Sequence, residues 1–216
     1  MAGLMLIIVL VYSLAVMKLD VEAIGPEGSR VGFSHLNGAL NKLIGYHPFW
    51  HKLADILAWA SFLTVGLFAA IGVLQLVKRK NLWKVDRQIL ALGGLFLTVF
   101  ILYIVFGKIP INYRPIILPD EGALEPSFPS SHTMMACTVF GGVSLVLKDY
   151  VRDKKLRKKM RIFCLAMAVL MTLARMLAGI HWFSDIFGGV LIAAFLLTLF
   201  DAVLWEIRED RAAGGK

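Results

Sequence analysis

The sequence predicts an all-α, polytopic integral membrane protein: a six-transmembrane-helix bundle with a short interfacial amphipathic helix. Three observations carry this. Apolar residues make up 58% of the 216 positions against 18% charged, and the mean hydropathy is +0.73, well above that of a water-soluble domain. The apolar residues gather in six segments, 2–17, 54–77, 88–107, 133–147, 162–180 and 186–205, and about 20 such residues cross the hydrocarbon core. Finally, 16 of the 23 Lys and Arg fall in three places: five in 78–87, eight in 148–161 and three after Trp205. That is the pattern of cytoplasmic loops between spans.

The first segment lacks a basic stretch before it and reads as a retained span, although Ser13-Leu14-Ala15 loosely resembles a signal-cleavage site. The next stretch, 32–44, places Phe33, Leu36, Ala39, Leu40, Leu43 and Ile44 at helical spacing, which predicts an amphipathic helix along the membrane surface. Tyr46, Phe49, Trp50 and Trp59 follow as an aromatic belt. Alternation of the spans then puts 78–87 and 148–161 inside, and 18–53, 108–132 and 181–185 outside, with both termini cytoplasmic. Cys137 and Cys164 fall in different spans near opposite faces, so they read as packing residues rather than a disulfide or metal site. Basic runs placed between spans argue against nucleic-acid binding. The chain shows no internal repeat and reads as one domain, 1–216.

Three polar clusters interrupt this pattern, all on the outer side: KIPINYRP at 108–115, PSSH at 129–132 and ARMLAGIHWFSD at 174–185. Pro129 cannot extend a preceding helix, and Ser130 or Ser131 is a favoured N-cap for the helix that follows. The first-turn N–H groups and the positive end of the helix dipole then form an anion site. Arg175, near the end of an apolar span, needs an anionic partner or water. His181 and Asp185 are four apart, so on a helix they share one face, and a carboxylate beside an imidazole fixes its tautomer and supports its charged form. Lys108 and Arg114 add cations suited to phosphate oxygens.

Taken in order, Lys108…Arg114-Pro115, Pro129-Ser130-Ser131-His132 and Arg175…His181…Asp185 resemble the three-part signature of the type-2 phosphatidic acid phosphatase superfamily. The chain departs from that pattern in having Ser131 for the usual glycine, Ala174 for the usual serine, and five rather than six residues between Lys108 and Arg114. The resemblance implies that His181 attacks phosphorus to form a phosphohistidine, with Asp185 orienting it. His132 would protonate the leaving oxygen and later activate water. Lys108, Arg114, Ser130, Ser131 and Arg175 would bind the phosphoryl oxygens. No metal or cofactor is implied, and Asp120, Glu121 and Glu125 read as a solvated acidic stretch. His35, His47 and His51 read as interfacial.

The implied substrate is a lipid phosphate or pyrophosphate at headgroup depth: undecaprenyl pyrophosphate, phosphatidylglycerophosphate or phosphatidate. The implied setting is a bacterial cytoplasmic membrane, with the site on its outer face. The rival readings are a lipid phosphotransferase of the same fold, and a non-catalytic phosphate-lipid binder or transporter. A transporter would show Gly/Pro-broken polar positions at mid-span in matching halves. Here the polar groups collect at one face.

Overall fold

The computed structural model describes residues 1–118 and 122–213; Asp120 and Glu121 lie outside them. Among the described residues the architecture is all-helical: α1 (Ala2–Lys18), α2 (Ser34–Ile44), α3 (Pro48–Arg79), α4 (Arg87–Lys108), α5 (Ser131–Tyr150), α6 (Lys154–Leu177) and α7 (Phe183–Ala213). Four of them (α3, α4, α6 and α7) are long and apolar enough to cross a membrane, and α1 is a shorter apolar helix of 17 residues. The chain is a multi-pass membrane protein. All six apolar segments fall in helices, except that 178–180 of the fifth lie in the turn after α6, and most of the helices run beyond the segments. α3 begins at Pro48, a residue favoured in a first turn, so an opening stretch holding Phe49, Trp50, His51 and Lys52 precedes the apolar run. α6 begins at Lys154 behind the N-cap Asp153, whose side chain accepts from the amide of Lys155 at 2.8 Å, and so takes in the basic run. α7 continues to Ala213 on charged residues.

α5 is the central helix, packing against α3, α4, α6 and α7. Unlike α3, α4, α6 and α7 it has no stretch apolar enough to cross a membrane by composition alone, and it is surrounded by other helices. Thr133, Thr138, Ala136, Val139 and Val146 are fully buried. A Cβ on Gly141 would lie 2.4 Å from Leu197, and one on Gly142 would lie 2.6 Å from Leu95. Lipid tails are as apolar as leucine, so helices associate through such close packing rather than through hydrophobic transfer. α5 ends at Tyr150, with Lys148 in its last turn.

At the end of the bundle holding the 80–86 and 151–153 connections, charges are consumed in pairs. Arg208 holds Asp149 at 2.5 Å, Arg79 holds Asp86 at 2.7 Å and Arg87 holds Asp210 at 2.8 Å. At the other end, neutral hydrogen bonds predominate. α2 is fixed by Asn37, which donates to the Gly32 carbonyl at 2.7 Å and to Ser184 Oγ at 2.8 Å, and accepts from the Ser184 amide at 3.1 Å. Its apolar Leu36 and Leu43 face outward. Gly32 passes so close to α1 that a Cβ would meet the Val16 carbonyl. The α2–α3 link docks on the α6–α7 turn: His47 N–H donates to the Ala178 carbonyl at 3.2 Å.

Cys137 and Cys164 are free thiols, and they line one apolar cavity between α5, α6 and α7 instead of lying at opposite faces. The early start of α6 places Cys164 near mid-helix.

Gly179 closes α6 with φ +70°, and a Cβ there would lie 1.8 Å from the Gly45 carbonyl. Gly179→Ala is therefore expected to destabilise the protein by about 2 kcal/mol or more. Gly66→Ala, where nothing crowds the new methyl, serves as the neutral control. Thermal unfolding of the two variants in detergent checks this.

Candidate active site

The site is organised around a carboxylate with no access to solvent. Asp185, in the first turn of α7, is fully buried. Its Oδ1 accepts from Asn112 Nδ2 at 3.0 Å and its Oδ2 from the Trp182 amide at 3.0 Å. Asn112 is fully buried as well. It also donates to Ser184 Oγ, accepts from the Gly32 amide through its side chain, and accepts from the Ser127 amide through its carbonyl at 2.8 Å. The Ser130 amide donates to the Asp185 carbonyl at 2.9 Å, which docks the start of α5 on the start of α7. Gly189 permits that approach, since a Cβ there would sit 2.9 Å from the Ser130 carbonyl.

His181 lies in the α6–α7 turn. Its Nδ1–H donates to the Ser127 carbonyl at 3.1 Å, while Asp185 Oδ2 is 3.8 Å away. The backbone carbonyl, rather than the carboxylate, therefore fixes the tautomer. Asp185 lies beyond hydrogen-bond reach of Nδ1, because its own hydrogen bonds are taken by Asn112 and the Trp182 amide. Nε2 is left with its lone pair and faces Arg175 Nη2 at 3.4 Å. Burial first, and then the neighbouring Arg175 and Arg114, hold His181 well below the usual histidine pKa. Its imidazole is neutral at pH 7.

A cavity of about 450 Å³ opens beside it, lined by Lys108, Arg114, Ser131, His132 and His181 among others. Four of these five come from segments far from His181 in the chain. Ser130 stands at the N-cap of α5 but makes no side-chain cap bond; its hydroxyl donates to Thr133 Oγ1 at 3.0 Å. The first-turn amides of α5 are thus left without a side-chain cap at the cavity's edge. His132 Nδ1 is buried and makes no hydrogen bond with any described residue.

These features coincide with a family likeness. Residues 90–209 match the sequence model of the PAP2 superfamily. The chain belongs to that superfamily. It is 31% identical over 101 residues to phosphatidylglycerophosphatase B of Bacillus subtilis (strain 168), a match covering 44% of this chain and 49% of that protein. The matched part thus spans about half the length of this curated relative. The fold is similar to the crystal structure of a transmembrane PAP2 type phosphatidylglycerolphosphate phosphatase from Bacillus subtilis. That likeness has a TM-score of 0.68 at 21% identity, covering 95% of this chain and 96% of the other.

Within the PAP2 region, the predicted site residues do not all occupy one surface. Lys108, Arg114, Ser131, His132 and His181 share the cavity. Ser130 does not line it, because its hydroxyl is buried against Thr133. Arg175 does not line it either; it is 2% exposed and reaches the site through His181. Arg114 pairs with Glu125 at 2.9 Å, so this carboxylate belongs to the site rather than to a solvated stretch.

The sequence reading missed Asn112, the Ser127 carbonyl and the pair His51–Asp55, which lies beside Arg175 at 3.5 Å. An amide placed among isoleucine and proline in KIPINYRP was the available signal for Asn112. His35 and His47 are satisfied locally, by Asp20 at 2.6 Å and the Ile44 carbonyl at 2.7 Å. Asp20, Glu22 and His35 lie close enough together to share a cation, but they are exposed and none lines the cavity.

Asn112→Ala removes a donor from a buried carboxylate and is expected to lower stability by about 2 kcal/mol. The measurement is thermal unfolding in detergent. The His181 shift carries a definite sign. Below the unfolded value of 6.5 the unfolded chain binds a proton that the folded protein refuses. Stability supported by the neutral imidazole is present above that value and lost as pH falls. Melting temperatures taken from about pH 7.5 down to about 5.5 should fall more steeply for the wild type than for His181→Gln.

Proposed function

We propose that this PAP2 chain is a metal-independent membrane lipid phosphatase acting through a phosphohistidine. The observation that carries the reading is the meeting of two unlike cavities at Ser131 and His132. One is the cationic and imidazole-lined cavity of about 450 Å³. The other, of about 420 Å³, shares Tyr103, Ser131 and His132 with it and is otherwise walled mainly by Ala58, Phe62, Phe100, Met135 and Met171. A third, apolar groove of about 560 Å³ shares Phe62, Phe100 and Met135 with the second. A phosphorylated headgroup fits the first, and a hydrocarbon chain fits the series of apolar spaces that leads away from it. The similarity to phosphatidylglycerophosphatase B supports the same class of substrate.

In this mechanism the phosphoryl oxygens enter beside the α5 N-terminus and take hydrogen bonds from Lys108, Arg114, the first-turn amides and one arm of Arg175. Ser130 acts by setting the start of α5. The phosphoryl group competes with Glu125 for Arg114 and with His181 Nε2 for Arg175. Once released from Arg175, Nε2 attacks phosphorus; the P–O bond to the lipid breaks, and His132 protonates the departing oxygen. Asp185 offsets the positive charge that develops on the His181 ring. His132, now basic, takes a proton from water, which attacks phosphorus, breaks the P–N bond and releases phosphate. Positioning and charge stabilisation supply most of the acceleration in phosphoryl transfer, and these groups provide both.

The topology proposed with it has six spans, α1 and α3–α7, and an interfacial α2, in a single domain covering 1–216. Both termini face the cytoplasm and the site opens at the outer face, a reading supported by the basic 78–87 and 148–161 loops.

The test is phosphate release by the purified protein in detergent with EDTA present, from undecaprenyl pyrophosphate, phosphatidylglycerophosphate and phosphatidate in turn. Release should survive EDTA and fall by at least about 1,000-fold in His181→Ala. His132→Ala should accumulate an alkali-stable, acid-labile phosphoprotein from a substrate with a good leaving group. Undiminished release by His181→Ala would overturn the assignment. Phosphate appearing on an added acceptor alcohol instead of in solution would turn the reading to a transferase.

A further inference from the structure

Arg175 stands between two groups that draw on it from opposite sides. Nη2 faces His181 Nε2 at 3.4 Å, while Nη1 lies 3.5 Å from Asp55 Oδ1, on α3 and 120 residues away in sequence. The other oxygen of the same carboxylate, Oδ2, is 3.5 Å from His51 Nε2, one helical turn earlier. The Arg175 side chain is 2% exposed and that of Asp55 is 51% exposed. A guanidinium buried this deeply requires a counter-charge on at least one arm. The half-exposed Asp55 gives it one while leaving the second arm aimed at the atom that would attack phosphorus.

We infer that Asp55 is a positioning residue that presets the Arg175 guanidinium, with His51 as its competing partner; this rests on the phosphatase reading above. The arrangement has two consequences of opposite direction. Holding Nη1 in place aligns Arg175 for the phosphoryl group as charge spreads in the transition state. The same carboxylate is an anion beside an anion site, so it weakens ground-state binding of phosphate. His51 and Arg175 share one carboxylate: when His51 is removed, Asp55 bears wholly on Arg175, and its opposition to phosphate grows.

The experiment uses the full chain in detergent and reads two quantities: binding of inorganic phosphate by calorimetry, and kcat and KM for whichever lipid the wild type hydrolyses. Asp55→Asn should bind phosphate roughly three- to tenfold more tightly, a modest factor because the carboxylate is half exposed and screened. Its kcat should fall by about tenfold or more, with no rise in KM. His51→Gln should bind phosphate more weakly, opposite in sign to Asp55→Asn. Asp55→Glu should restore most of kcat.

A merely structural role would reduce the active fraction in both variants and leave the phosphate affinity of the folded protein alone. The inference is overturned if Asp55→Asn leaves kcat and phosphate affinity unchanged, or if the two variants shift phosphate affinity the same way. Should Asp55→Asn fail to fold, His51→Gln decides: unchanged phosphate affinity there overturns the inference. If the wild type releases phosphate from no lipid, the proposed reaction fails, while the phosphate-binding comparisons still decide the role of Asp55.

Discussion

The Asp185 carboxylate, buried with no Lys or Arg among the described residues paired to it, is the constraint on which the rest of this site depends. A charged group so placed is tolerated only when donors converge on it, and here the donors come from separate parts of the chain. Asn112 reaches it from the segment after α4, and the Trp182 amide reaches it from the α6–α7 turn. Asn112 in turn holds the Gly32 and Ser127 amides. Satisfying one carboxylate therefore fixes the α1–α2 link, the entry to α5 and the first turn of α7 relative to each other. The positions of His181 and of the α5 N-terminus follow from that.

The two ends of the bundle settle their charges differently. Away from the site, arginines and aspartates neutralise each other directly, as Arg208 does with Asp149. At the site, the buried framework is assembled mostly from neutral donors and acceptors: Asn37, Asn112, Ser184 and backbone groups. Two cationic side chains there are paired with carboxylates: Arg114 with Glu125 and Arg175 with Asp55. Both pairs involve a partly exposed acid, which costs less to separate from its cation than a fully buried one.

Much of this was legible in the sequence, for identifiable reasons. The apolar segments announced the helices because a span has to be apolar on whichever faces meet lipid. The polar clusters stood out because arginine and histidine are costly beside apolar spans without a task, and the structure gathers Lys108, Arg114, Ser131, His132 and His181 around one cavity. What escaped was of three kinds. Helix ends escaped because first turns that hold aromatic or polar residues, such as those of α3 and α6, carry no clear periodic signal; His51 was hidden there, while Asp55 stood at the start of the second apolar segment. The Ser127 carbonyl escaped because a backbone acceptor leaves no trace in residue identity. The surroundings of Ser130 and Glu125 escaped because an oxygen's direction depends on packing across helices, where spacing along one helix says nothing. α5 looked weak as a span for the opposite reason: a central helix among helices has little lipid to face.

Asn112 also bears on how the protein is put together. Its side-chain contacts reach 80 residues back to Gly32 and 72 and 73 residues forward to Ser184 and Asp185. During synthesis the chain must therefore carry this amide through the insertion of α5 and α6 before its carboxylate partner exists. Contacts of such long range form late, after the local helices. A chain interrupted before α7 has most of its membrane helices yet leaves a polar amide in the bundle interior without its principal acceptor. α7 is thus the helix that licenses the fold, and the candidate site cannot take shape before α7 has been made.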